Sequence, residues 1–398
     1  MALTRGGRSR ACAMGNWWFG RSARAVDYAG EDEDLPCDKL LVCRRFAEPT
    51  GIPKSKKGID GRAFVHDPED FPRARVTGFK DFLRWRRTVA PTPTPSPDDL
   101  RALQPVTVST TRDAVKSPPT GGLQITWLGH STVLLQLAGN TLVFDPIFSD
   151  RCSPVQWIGP KRLQRPPLQV RDLPVTVDYV VISHNHYDHL DSASVLDLAR
   201  RFRSTFLVPL GLASWFRGAG VRNVIELDWT EQVELRSPSG GANLVFHCLP
   251  AQHFSSRGAL DRNATLWASW LVESGGESEN GRPPHKFYFG GDSGYCGEVF
   301  KRIGEEHGPI SLSAIAIGAY GHPSERWFME PVHISPEEAV RCHRDLRSER
   351  SVAIHWGTFQ LTAEPILEPP KLLAEAAARQ GLKEGEFSVL RHGETRAF

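Results

Sequence analysis

From residue 123 onward the chain alternates short apolar runs with turn-forming residues, and this rhythm predicts a succession of buried strands. Residues 123–128 read as a strand and 133–137 as its hairpin partner. Gly139-Asn140 reads as a turn into a strand at 141–144 that stops at Asp145-Pro146. Residues 151–171 form a long loop rich in Pro and Arg. Residues 179–182 are a buried strand, followed by a helix from an N-cap at Ser192 to about residue 202. Strands at 206–209 and 224–227 flank a helix at 211–217. Further strands fall at 243–249, 266–272, 286–289, 314–317 and 351–354. Helices are expected at 336–347, with Glu337 and Glu338 in the favourable first turn, and at 371–380, stopping at Gly381.

Before residue 123 the pattern fades. Residues 31–34 are an acidic run, 64–85 an aromatic-bearing arm, and 91–97 a stiff Pro-rich strap leading to a short helix at Asp98-Asp99-Leu100. The expected organisation is a disordered or transit-like extension over 1–60, an irregular arm and linker over 61–120, and a catalytic domain over 121–398. Residues 1–60 show little apolar periodicity and are expected to be dispensable for folding.

The 398 residues are 40% hydrophobic and 24% charged, enough for a sizeable core. A net charge of +2, with no extended basic track or aromatic ladder, gives no argument for nucleic acid. Seven Cys without a C-x-x-C spacing read as reduced thiols of an intracellular protein. No run reaches transmembrane length. Arg5, Arg8, Arg10, Arg21 and Arg24 precede the first acid, Asp27, which fits either an organelle transit peptide or a basic tail.

The candidate chemistry sits at strand ends. Directly after 179–182 comes Ser183-His184-Asn185-His186-Tyr187-Asp188-His189-Leu190-Asp191. Alternate residues of extended backbone point the same way, so His184 and His186 can grip one ion while Asp188 and His189 turn toward a second. The same grammar recurs at His253, at Asp292 after Gly290-Gly291, and at His355. Such placement holds a ligand more firmly than a free loop does. The other His residues, at 66, 247, 285, 307, 322, 343 and 392, read as surface or helix-end residues.

The array H-x-H-x-D-H with a later His, Asp and His resembles the metallo-β-lactamase superfamily. Longer strings at 127–130, 141–148, 182–190, 290–295, 317–320, 326–329 and 353–358 resemble its N-acylphosphatidylethanolamine-hydrolysing phospholipase D family. The resemblance covers about residues 123–398. It implies an α/β fold, the αββα sandwich of that superfamily, with an irregular N-terminal extension. It implies two Zn2+ ions, one on His184, His186 and His253, the other on Asp188, His189 and His355, with Asp292 bridging.

Two metals about 3.5–4 Å apart would bind phosphoryl oxygens and make a hydroxide at neutral pH. The implied reaction is hydrolysis of N-acylphosphatidylethanolamine to N-acylethanolamine and phosphatidic acid. His333 matches a family histidine that steadies the phosphate; the family usually has Gln before it, and here stands Val332. The loop over 321–325 is longer than usual. Tyr187 either donates to a phosphoryl oxygen or packs; Asp145 suits a structural role, and His130 either supports a ligand or sits in the core. The family also implies a homodimer seated peripherally on a membrane phospholipid surface. Leu212, Trp215 and Phe216 are candidates for that surface, or for core. Two other readings stay open: a lactonase or small phosphodiesterase on the same metals, and a non-catalytic zinc-containing lipid-binding protein.

Overall fold

The structure, a computed structural model, describes residues 45–46, 51–58, 61–75, 78–118, 122–173, 175–258, 260–275 and 284–398. The Arg-rich start and the acidic run lie outside these residues. With elements numbered in chain order, one sheet runs β17 (Thr395–Ala397), β4 (Leu123–Gly129), β5 (Thr132–Leu137), β6 (Asn140–Phe144), β7 (Tyr179–Val181), β8 (Thr205–Pro209), β9 (Val224–Leu227). The other runs β1 (Arg45–Phe46), β10 (Gln232–Leu235), β11 (Leu244–Leu249), β12 (Ser269–Ser274), β13 (Lys286–Phe289), β14 (Leu312–Ala316), β15 (Ser351–Ile354), β16 (Phe387–Ser388). A short pair, β2 (Lys56–Lys57) and β3 (Phe64–Val65), stands apart. Each large sheet is antiparallel at one end and becomes parallel, from β6 to β9 and from β13 to β16. The strands of the parallel regions are covered on both faces, which is why most read as continuous apolar runs.

The sheets pack face to face. Phe144 of β6 meets Phe289 and Phe287 of β13 at 4.8 and 5.2 Å between ring centroids, and Tyr179 of β7 meets Phe246 of β11 at 5.0 Å. The Trp270 indole donates across the sandwich to the carbonyl of Ile182 at 2.9 Å. On the outer face of the first sheet, Val195 and Leu198 of α4 (Ser192–Arg201) and Phe216 of α5 (Ala213–Gly218) pack on Val143, Val180 and Phe206; Val115 of α3 (Val108–Lys116) joins them. Outside the second sheet, α6 (Gly297–His307), α8 (Pro336–Asp345) and α9 (Glu368–Arg379) contribute Val299, Phe300, Val340 and Leu373 to the main core. The result is the expected αββα sandwich. Three further helices, α1 (Phe79–Thr88), α2 (Pro97–Ala102) and α7 (Arg326–Met329), lie in the arm and loops.

Several expectations change. The turn after β5 is Ala138-Gly139, both at positive φ (50° and 80°), and Asn140 opens the next strand. The N-cap of α4 is Asp191, whose carboxylate holds Ser149 and Ser194 instead of capping. Leu212 and Phe216 are core, and Trp215 packs on Phe216 with Arg257 over its ring, so this trio is not an exposed surface. The boundary at residue 60 cuts through packed chain: Arg45–Phe46 extends the second sheet, Ile52 is in the main core, and Gly51 accepts a hydrogen bond from Arg302 at 3.0 Å.

His247, His307, His343 and His392 are buried, not at the surface, although His307 does end α6. Burial holds His307 neutral with its pKa lowered to about 3, and His343 and His392 to about 4. The unfolded chain protonates these rings near pH 6.5, so it binds more protons than the folded one between pH 6.5 and 4. Stability therefore falls as pH falls through that window, by about 3 kcal/mol for each ring at pH 4. Acid unfolding followed by circular dichroism in excess chelator is expected to have its midpoint above pH 4. A chain fully folded at pH 4 without metal would contradict this.

Candidate metal centre

The chain ends of β6, β7, β11, β13 and β15 converge on one rim of the sandwich. After β7 the backbone bends, and the carbonyl of His186 accepts the amides of His189 and Leu190 at 3.1 and 2.8 Å, which turns Asp188 and His189 away from His184 and His186. Asp292 follows Gly291, whose φ is +56° and where a Cβ would lie 2.7 Å from that of Ser183. Only glycine fits this close approach of the two sheets. His130, Asp145 and His355 also have positive φ (52°, 39° and 61°), a strained conformation that tertiary packing must enforce.

Two groups of donors result. His184 Nε2 and His253 Nε2 lie 2.8 and 3.2 Å from His186 Nδ1. Asp188 Oδ2 lies 3.4 and 3.6 Å from His189 Nε2 and His355 Nε2. Asp292 stands between the groups, 3.0 Å from His189 Nε2, 3.2 Å from His355 Nε2, 3.8 Å from His253 Nε2 and 3.9 Å from His184 Nε2. Donors on a tetrahedral zinc, each near 2.0–2.1 Å from the ion, would be roughly 3.3 Å apart. The spacing fits a divalent metal. So do the buried polar atoms without a protein hydrogen bond, which include His189 Nε2, His355 Nε2 and Asp292 Oδ1.

The outer nitrogens set the tautomers. His189 Nδ1 donates to Asp145 Oδ2 at 2.7 Å and His253 Nδ1 to the carbonyl of Val332 at 2.9 Å. The Ser183 hydroxyl donates to Asp145 at 2.6 Å, so it accepts from His184 Nδ1 at 2.8 Å. In each of these three rings it is therefore Nε2 that faces inward. His130 Nε2 bonds Asp188 Oδ2 at 2.9 Å, and the carbonyl of His130 accepts the His355 amide at 2.8 Å.

Burial is the largest influence on every group. It pushes His184 and His253 well below the usual imidazole range and His186 to about 4, leaving neutral ligands. At His189 and His355 burial is outweighed by Asp292 and Asp188, so His189 rises well above its usual value and His355 to about 9. The same pairing holds Asp188 and Asp292 ionised, well below the carboxylate range despite burial. This half of the site attracts positive charge, the condition a cation meets.

All seven residues expected to bind metal are thus brought together. His333 is there too, its Nδ1 4.0 Å from Asp292 Oδ2 and its ring 5.3 Å from those of His253 and His355. Tyr187 is corrected to packing: its hydroxyl donates to the carbonyl of Arg257 at 2.9 Å, and that guanidinium covers its ring. The support given by Asp145, Ser183 and the Val332 carbonyl was missed. Only Asp145, at a strand end in a parallel sheet, carried a sequence signal. A small open cleft adjoins His130 and His355, with the apolar Phe359, Leu361 and Ile366 and the polar Gln360, Thr362 and Glu364 in its walls.

Fold and donor set together define a metal-dependent hydrolase of the metallo-β-lactamase superfamily; the model of the beta-lactamase superfamily domain matches residues 140–356. An isothiocyanate hydrolase from Delia radicum gut bacteria shares the fold, with a TM-score of 0.52 and 20% identity over 69% of this chain and 98% of that one. The N-acyl-phosphatidylethanolamine-hydrolyzing phospholipase D 1 of Caenorhabditis elegans is 43% identical over 281 residues, 69% of this chain and 75% of the nematode protein. The mitochondrial enzyme of that name from Saccharomyces cerevisiae is 34% identical over 65% of this chain and 53% of its own length. The chain belongs to the N-acylphosphatidylethanolamine-hydrolysing phospholipase D family.

Proposed function

We propose that this enzyme is a zinc-dependent phosphodiesterase that cleaves N-acylphosphatidylethanolamine to N-acylethanolamine and phosphatidic acid. The observation that carries the reading is the pair of buried donor groups sharing Asp292, in a chain of this family. His184, His186 and His253 would hold one zinc, Asp188, His189 and His355 the other, with Asp292 between them. When bound, two such ions supply Lewis acidity toward a phosphodiester and an acidified water. The protein's own part is orientation and exclusion. Asp145, Ser183 and Val332 fix the imidazoles, and burial removes competing solvent. His333, its pKa lowered to about 4 by burial, is a neutral imidazole at pH 7 able to steady a phosphoryl oxygen.

Among the described residues no helix is long and apolar enough to cross a membrane. The bilayer contact belongs to this proposal, and we assign it to the exposed Trp157 and Ile158, 78% and 56% accessible, on the loop between Arg151 and Lys161. Tryptophan suits the interface between headgroups and acyl chains.

The test is a panel of N-acylphosphatidylethanolamine, a lactone and a cyclic nucleotide. Turnover of the lipid, abolished by chelator and restored by zinc, is expected. Replacing Trp157 and Ile158 by Ser should lower turnover on vesicles and spare detergent-dispersed lipid. Turnover of the lactone or nucleotide alone would overturn the reading.

A further inference from the structure

Helix α1 stands outside the sandwich layers, yet it grips the loop that closes the metal centre. Trp85 stacks on Phe328 at 5.5 Å, and its indole N–H donates to Glu325 Oε2 at 2.8 Å. Glu325 is fully buried, and its other oxygen accepts the amides of Ala363 at 2.6 Å and His322 at 3.2 Å. Three segments therefore meet on one carboxylate, where each charge-assisted bond is stronger than a neutral one. Beside it, Arg84 covers the ring of Trp327 at 4.5 Å and the Ala90 amide donates to Ser324 Oγ at 3.1 Å.

A few residues on, the same loop reaches the donors. The carbonyl of Val332 orients His253, and His333 approaches Asp292. The stretch between has little slack. Met329 O accepts the amides of Val332 and His333 at 2.9 and 2.8 Å, and Arg326 donates to His333 O at 2.8 Å while pairing with Glu338.

We infer that α1 is part of the working site: Trp85, through Glu325, is a positioning residue for the loop that aims His253 and His333. The effect on turnover rests on the function proposed above; the effect on the loop does not. The path is a continuous set of packed rings and hydrogen bonds, the physical form coupling requires.

Trp85→Phe keeps the ring on Phe328 and deletes the N–H. In the full chain it should speed hydrogen exchange at the amides of Val332 and His333 by about tenfold, and lower kcat on a water-soluble phosphodiester by a similar factor with KM unchanged. Metal should also leave at a lower chelator concentration. Trp85→Ala should enlarge each change. Val115→Ala, in the outer cluster under α3, serves as a control that lowers Tm without touching this path. If the Trp85 variants exchange, turn over and retain metal like wild type, or only as Val115→Ala does, the inference fails. If wild type has no phosphodiesterase activity, the proposed function fails, while exchange and metal retention still decide the role of Trp85.

Discussion

Asp292→Asn is expected to lower turnover by about a thousandfold or more. Its carboxylate oxygens lie 3.0–3.9 Å from four ring nitrogens drawn from both sheets, and it is buried without any exposed route for compensation. The amide keeps the shape and removes the negative charge that the two proposed cations would share. Removing one member of a buried charge set also leaves its partners uncompensated. Bound metal should fall toward half or less, while binding to lipid vesicles stays near wild type. Turnover and metal content need measuring on the same preparation. Activity within tenfold of wild type at full metal loading would remove Asp292 from the centre of the site.

His333→Ala should cost about a hundredfold in kcat. The ring is buried between His253 and His355, and its Nδ1 has no hydrogen-bond partner. In the proposed division of labour it meets the phosphoryl group and leaves metal content unchanged. Loss of bound metal from this variant would make it a ligand instead. Val332→Gln probes the neighbouring departure from the family. The carbonyl of Val332, not its side chain, holds His253, so metal content should be unaffected. If the side chain narrows substrate choice, Gln raises turnover of N-acylphosphatidylethanolamine and leaves other esters alone; no change would make Val332 neutral.

Most of the central strands, though not β10 or the short edge strands β16 and β17, and all the donors were legible in the sequence for one reason. Most strands of the parallel regions are covered on both faces, so they appear as apolar runs, and the donors sit where those runs stop. Residues 45–46 and 51–58 were not legible, because their contacts lie on β10 and Arg302, far along the chain. Helix α6 was hidden by its glycines. Gly304 is needed there because a Cβ would lie 2.1 Å from the carbonyl oxygen of Asp345, so close helix packing overrides propensity. Helix α3 is rich in Thr, Val and Ser, weak helix formers, and is held by burial of Thr111 and Val115. The Trp85–Glu325 and Asp145–His189 pairs join residues whose sequence separation conceals their contact.

The convergence of strand ends from both sheets also bears on how the chain matures. His184 and His186 emerge from the ribosome early, His253 and Asp292 later, and His355 last. A nascent chain can offer only a partial set of donors, and a partial set binds weakly because folding and metal capture are linked. Metal loading thus becomes a reading of finished assembly: an ion is retained firmly only once the two halves of the sandwich have closed on each other.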